Sequence, residues 1–123
     1  MDTTTQDQKF LVNCTFGADD VERATIAFIL AATSSKTAET AVFATADAAG
    51  LCVKGGADGL AADGYEPLDQ LMRQYHDNGG MIWLCPACAK ARGITAGDLR
   101  EGVEIAGAPR TMAFLGSGAR VLA

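Results

Sequence analysis

The chain has 123 residues, a formal net charge of -5 and 49% hydrophobic residues. That length and composition predict a single domain large enough to bury a core of its own. The acidic balance argues against a broad nucleic-acid surface and against an anionic membrane surface, because both call for clustered Lys and Arg.

Residues 1–8 are polar, with no basic stretch followed by an apolar one, and read as a tail rather than a signal peptide. Residues 9–123 then read as one α/β domain. In residues 9–15, the compact apolar run Phe10-Leu11-Val12 predicts a buried strand. Phe16-Gly17 breaks it, and Asp19 with Glu22 three residues later resembles a capping box. Val21, Ala24, Phe28 and Ala31 then recur at helical spacing to about Ala32. This helix holds the longest apolar run, residues 24–32, which Thr25 interrupts and which falls well short of the roughly 18 residues of a membrane span.

Residues 38–45 form a second predicted strand, so a parallel pair with a helical crossover is expected. Gly50, Gly55, Gly56, Gly59 and Gly64 follow, and so much glycine predicts an irregular excursion with one short turn. Its apolar Leu51, Val53 and Leu60 are expected to need cover. Pro67 suits the first position of a helix whose apolar face is Leu68, Leu71, Met72 and Tyr75, and Asn78-Gly79-Gly80 ends it. Met81-Ile82-Trp83-Leu84 is apolar on both faces and predicts a central strand. Pro86 opens a two-turn helix that Gly93 stops. Thr95 and Asp98 look like a second capping box before a turn at Leu99. Residues 103–106 and 119–122 read as strands four and five, with a helix from Pro109 through Leu115 between them. The fold class is therefore α/β, about five mainly parallel strands with helices on both faces.

The chemistry concentrates in Cys85-Pro86-Ala87-Cys88, followed by Lys90, Arg92, Gly93 and Ile94. A thiol at a strand end and helix start meets unpaired N–H groups, which favour the thiolate. Lys90 and Arg92 are expected to add positive potential. Were the strand order 2-1-3-4-5, Cys14 and Thr15 would share a crevice with Cys85. The plainer reading of Cys14 and Cys52 is packing, since cysteine is among the most buried residue types. His76, the single histidine, fits the last turn of a helix, where a cation meets the negative end of the dipole. One histidine also sets aside multi-histidine metal sites. Asp98, Glu101 and Glu104 read as solvated charges.

These features resemble the DsrE/DsrF-like proteins, which include sulfur-relay subunits of sulfur oxidation and of tRNA thiolation. In sulfur-carrying members a cysteine lies eight residues before the Gly of an Arg-Gly-Val/Ile motif, and Cys85 stands in that relation to Arg92-Gly93-Ile94. Lys54-Gly55 followed by Ala57-Asp58-Gly59 resembles one subgroup of the family. The resemblance implies a flavodoxin-like sheet, a homotrimer or homohexamer, and a persulfide-carrying role for Cys85 in the cytoplasm. It also implies a protein as sulfur donor or acceptor, and no cofactor. Cys14, Thr15, Lys54 and Arg92 stand as candidate substrate-binding residues, and no residue is assigned to a metal.

Cys88 departs from the single-cysteine pattern of the relay subunits. It opens a second reading, a thiol–disulfide or peroxide-handling protein in which Cys85 attacks and Cys88 resolves. A third is an oligomeric binding module with a Cys-ligated metal, for which one Cys-x-x-Cys pair supplies two of the four ligands of a closed site.

Overall fold

The computed structural model describes residues 8–122, so seven residues of the predicted tail lie outside the described part. Five strands form one parallel sheet: β1 (Lys9–Cys14), β2 (Glu39–Ala44), β3 (Met81–Leu84), β4 (Val103–Ile105) and β5 (Arg120–Leu122). Four α-helices connect them: α1 (Val21–Ser34), α2 (Leu68–Asp77), α3 (Pro86–Ala91) and α4 (Ala108–Gly116).

The strand order is β4-β3-β2-β1-β5. It differs from 2-1-3-4-5 because β3 pairs with β2 rather than with β1, and β5 takes the other edge of β1. β3 is interior, between β2 and β4, while β2 occupies the middle. The register places Cys14, Ala44 and Leu84 level at the carboxyl ends of three adjacent strands.

Alternation along each strand sorts side chains to two faces. Val12, Cys14, Val42, Ala44, Ile82 and Leu84 join the larger core with α1, α2 and Ala89 of α3. Leu11, Ala41 and Trp83 point the other way and meet Phe114 of α4. Linking β4 at one edge to β5 at the other requires α4 to cross this second face. Three intervening strands span roughly 19 Å between the edges and nine helical residues cover roughly 13 Å of it. Helices therefore lie on both faces, unequally.

The cap of α1 is Asp20 rather than Asp19. The Asp20 carboxylate accepts from the Arg23 N–H at 3.1 Å, while Asp19 accepts from the Gly17 N–H at 2.7 Å and shapes the preceding turn. The glycine-rich segment is more ordered than its composition suggests. A 3-10 helix occupies Ala46–Cys52, and Leu51, Cys52 and Ala57 are buried in the chain's own core. Val53 and Leu60 are half-buried, and Leu60 packs against that core. The expected second capping box forms: the Thr95 N–H donates to Asp98 at 2.8 Å, and Asp98 is held below the usual carboxylate range by its bonds to Thr95.

Candidate functional site: a half-exposed cysteine pair

Proline dictates the local path. A residue before proline is pushed out of the helical region, and Cys85 takes φ -56 and ψ 125. Its N–H still extends the sheet ladder, donating to the Ala44 carbonyl at 3.0 Å. Its carbonyl already accepts the first helical bond, from the Ala89 N–H at 3.0 Å. Cys85 is thus the N-cap of α3 with Pro86 at N1. Gly107 leaves room for the proline ring: a Cβ there would stand 3.0 Å from Pro86 Cδ.

An N-cap side chain faces the orphan N–H groups of the first turn. The Cys85 thiol accordingly has its pKa lowered, first by hydrogen bonding from the Cys88 N–H, then by the Cys88 side chain and the Ala87 N–H, against a partial desolvation. The donors are local. Arg92 is turned away from Cys85 to Asp47, at 3.3 Å, and to the Cys88 carbonyl, also at 3.3 Å.

Cys88 is half-buried, and its sulfur accepts a hydrogen bond from the Ala46 N–H at 3.2 Å. Ala46 has φ 51, and it is the one non-glycine residue with positive φ among the described residues. Left-handed backbone costs an L-residue about 1–2 kcal/mol. The turn after β2 is held there from two sides. Arg92 ties Asp47 to α3, and Gly17 lies so close that a Cβ on it would stand 2.3 Å from the Asp47 carbonyl oxygen.

The other two thiols are buried and inert by comparison. Cys14, at the end of β1, is 2% exposed, and burial pushes its pKa up to about 11. Cys52 is 1% exposed, and burial pushes it up to about 12. Cys14 and Thr15 line a mostly apolar recess of about 230 Å³ with Phe16, Arg23 and Ile26, which does not include Cys85. The intervening β2 is the reason. Lys54 donates to the Gly97 carbonyl at 3.2 Å and shares with Arg92 a shallow depression of about 450 Å³ beside Gly93 and Ile94. Of the candidate residues, the structure therefore gathers Cys85, Cys88 and Arg92, and sets Cys14, Thr15 and Lys54 apart.

A larger concavity, about 560 Å³, lies elsewhere. Five of its charged groups are mutually engaged: Asp69 binds Arg73 at 2.7 Å and Arg100 at 3.0 Å, and His76 approaches Glu101 at 3.4 Å. Among the described residues no group of three or more His, Cys, Asp or Glu is arranged to hold a metal ion. No helix is long and apolar enough to cross a membrane among the described residues.

Sequence reasoning did not single out Ala46 or Asp47. Nothing in an Ala-Asp pair after a strand signals a left-handed turn; the signal would have been glycine, asparagine or aspartate at the turning position itself.

Comparison with known proteins agrees with the fold. The chain is 34% identical over 110 residues to the uncharacterized protein MJ0760 of Methanocaldococcus jannaschii, covering 89% of this chain and 40% of that relative's length. It thus spans about two fifths of the curated relative it matches. The E. coli ychN protein has a similar structure, with a TM-score of 0.68 at 18% identity over 94% of this chain and 99% of that one. MTH1491 of Methanobacterium thermoautotrophicum, a protein of unknown function, superposes with a TM-score of 0.72 at 15% identity over 94% and 98%. At such identities the likeness speaks for the fold alone. The DsrE/DsrF-like family model matches residues 8–123, so the chain belongs to the DsrE/DsrF-like family.

Proposed function

We infer that the chain is a cysteine-based sulfur carrier whose Cys85 holds sulfane sulfur as a persulfide. The observation that supports this most directly is the contrast among four free thiols. Cys85 is half-exposed with a lowered pKa, while Cys14 and Cys52 are buried with raised ones. Membership of a family associated with sulfur relay points the same way. In the loading step the Cys85 thiolate attacks the sulfane sulfur of a donor. A bond forms between Cys85 Sγ and that sulfur, and the donor's thiolate leaves with the electron pair of the broken bond. In the unloading step an acceptor thiolate attacks the outer sulfur and Cys85 leaves as thiolate. No net oxidation occurs, and no cofactor is needed.

We take donor and acceptor to be proteins, the setting to be the cytoplasm, where free thiols persist, and the assembly to be a homotrimer or homohexamer. Lys54 and Arg92 would serve as docking charges for a partner at the shallow depression they border, apart from the thiol itself.

The test is intact mass of the Cys88→Ser and Cys85→Ser chains after incubation with glutathione persulfide. The first is expected to gain one sulfur atom, located by peptide mapping on Cys85, and the second none. Failure of Cys88→Ser to load would overturn the carrier reading. The thiol-redox reading is favoured by a specific arrangement, Cys85 and Cys88 as N-cap and N3 of one helical turn. It predicts that peroxide alone converts the reduced wild-type chain to one lighter by two hydrogens, with repeated turnover when a thiol reductant is supplied.

A further inference from the structure

We propose that the pair is a built-in discharge device: a persulfide on Cys85 that meets no acceptor is reduced to hydrogen sulfide by Cys88, leaving a Cys85–Cys88 disulfide. The inference rests on Cys85 being the loading position.

Its basis is the placement of the Cys88 sulfur. Cys85 is the N-cap of α3 and Cys88 is N3, a spacing at which the two side chains meet over the first turn. The Cys88 side chain is near enough to Cys85 to help lower the Cys85 pKa. On its other side it is held by the Ala46 N–H at 3.2 Å. That amide is aimed by a turn at φ 51, which Asp47 and Arg92 brace against α3. An alanine held in left-handed backbone costs stability wherever it occurs, and here its consequence is to hold the Cys88 sulfur in place.

The inner atom of a persulfide is Cys85 Sγ itself, which the N-cap to N3 spacing sets on the same helical turn as the sulfur so fixed. Cys88 Sγ, as thiolate, attacks Cys85 Sγ. The bond from Cys85 Sγ to the sulfane sulfur breaks, and its electron pair leaves with the outer sulfur. That sulfur takes up the proton given up by Cys88 and departs as hydrogen sulfide. The sulfane sulfur is reduced, the Cys88 sulfur is oxidised to one half of the disulfide, and no outside oxidant is consumed. Return to the dithiol requires two electrons from a thiol reductant of low molecular weight or from a protein dithiol. The chemical class of the substrate is therefore a persulfide or polysulfide, and the products are sulfide and, on reduction, free carrier. Intramolecular attack by a held group is favoured by large effective concentrations.

In the disulfide the Cys88 sulfur is drawn to bonding distance of Cys85 and away from Ala46. The Ala46 amide then loses its acceptor, so its resonance reports the state of the pair.

The experiment loads wild-type and Cys88→Ser chains with glutathione persulfide at mildly acidic pH, where thiolates are scarce. The loaded chains are desalted to remove every small thiol and brought to about pH 8. Wild type is expected to release one sulfide per loaded chain and to end two hydrogens lighter than the reduced chain. Its rate should exceed that of Cys88→Ser by about tenfold or more and should not change with protein concentration. The Ala46 amide signal is expected to shift in wild type alone. Retention of the sulfur by wild type as long as by Cys88→Ser, or a release rate that scales with protein concentration, overturns the discharge proposal while leaving the carrier reading intact. Failure of both chains to load, at this pH and again at about pH 8, would instead remove the carrier reading.

Discussion

A thiol acts as a nucleophile only so far as its surroundings favour the anion. In this chain the difference between Cys85 and Cys14 is made by a single proline. Pro86 keeps Cys85 at the helix threshold, in reach of the Ala87 and Cys88 N–H groups, whereas Cys14 ends its strand inside the core. Cys85 is therefore expected to be alkylated first in the folded protein, with a rate-against-pH curve half-maximal below 9.0, its ordinary value. Cys14 and Cys52 should react only on unfolding or far into alkali. Cys88→Ala should move the Cys85 midpoint upward by removing a donor, and Cys88→Ser should restore most of the shift. Peptide mass spectrometry across a pH series reads all of this, and a Cys85 slower than the buried pair would refute it. The strained Ala46 gives a second expectation. Glycine tolerates φ 51 where alanine does not, so Ala46→Gly should raise stability by roughly 0.5–1 kcal/mol in urea unfolding, part of the strain being offset by the freer unfolded chain. The cysteine pair was legible in the sequence because strand end, proline and Cys-x-x-Cys spacing coincide. The turn that braces it was not, because Ala46 carries no local signal for its conformation.

Elements with strong periodicity or a cap were found close to their predicted bounds: β3 at Met81–Leu84 without change, and α2 from Leu68. The order of strands was not legible, because it depends on which edges pair, and parallel apolar strands of similar composition carry no mark of their neighbour. One device that fixes the order in the structure is a side chain read beforehand only as apolar. Tyr75 is fully buried, and its single hydroxyl proton is shared between the Thr40 carbonyl of β2, at 2.9 Å, and the Met81 carbonyl of β3. It thereby ties α2 to two adjacent strands at the end remote from the cysteines. Tyr75→Phe leaves buried carbonyls with fewer donors and should cost about 1–3 kcal/mol in urea unfolding. Gly80 makes room for the same ring, since a Cβ there would lie 2.2 Å from Tyr75 Cε1. Gly80→Ala should therefore destabilise further, and the two losses should add poorly because they act on one ring. Equal stability of wild type and Tyr75→Phe would show that the hydroxyl's two bonds do not contribute net.

At the scale of the molecule the two sheet faces are unequal: one carries three helices, the other only α4, whose Met112 is 63% exposed. The expected cover for such a face is another copy, and light scattering should report a trimer or hexamer; a monomer at micromolar concentration would end that proposal. The glycine-rich segment gives it no support, since Leu51 is already buried within the chain. Stability against pH offers a test that needs no partner. An acid whose folded pKa is raised keeps its proton in the native state after the unfolded chain has released it. Cys14 and Cys52, raised to about 11 and about 12 from 9.0, thus contribute stability that is fully present below pH 9 and declines above it. Within that window each thiol removes about 1.4 kcal/mol per pH unit. Tyr75, raised above its ordinary value of 10.0 by burial, adds to the decline from pH 10 upward. Cys85 has the opposite sign. Its folded pKa lies below 9.0, so its contribution grows as pH rises towards 9 and is lost as pH falls through the folded value. The thiols together therefore place a stability maximum near pH 9, with a steep alkaline side. Urea midpoints measured under reducing conditions at about pH 9 and about pH 10 should fall steeply in wild type. In Cys52→Ala the same step should be about half as deep, whatever the packing cost at neutral pH, because one of the two titrating thiols is gone. A midpoint that holds level between those two pH values in wild type would mean that Cys14 and Cys52 are not sealed from water as the structure has them.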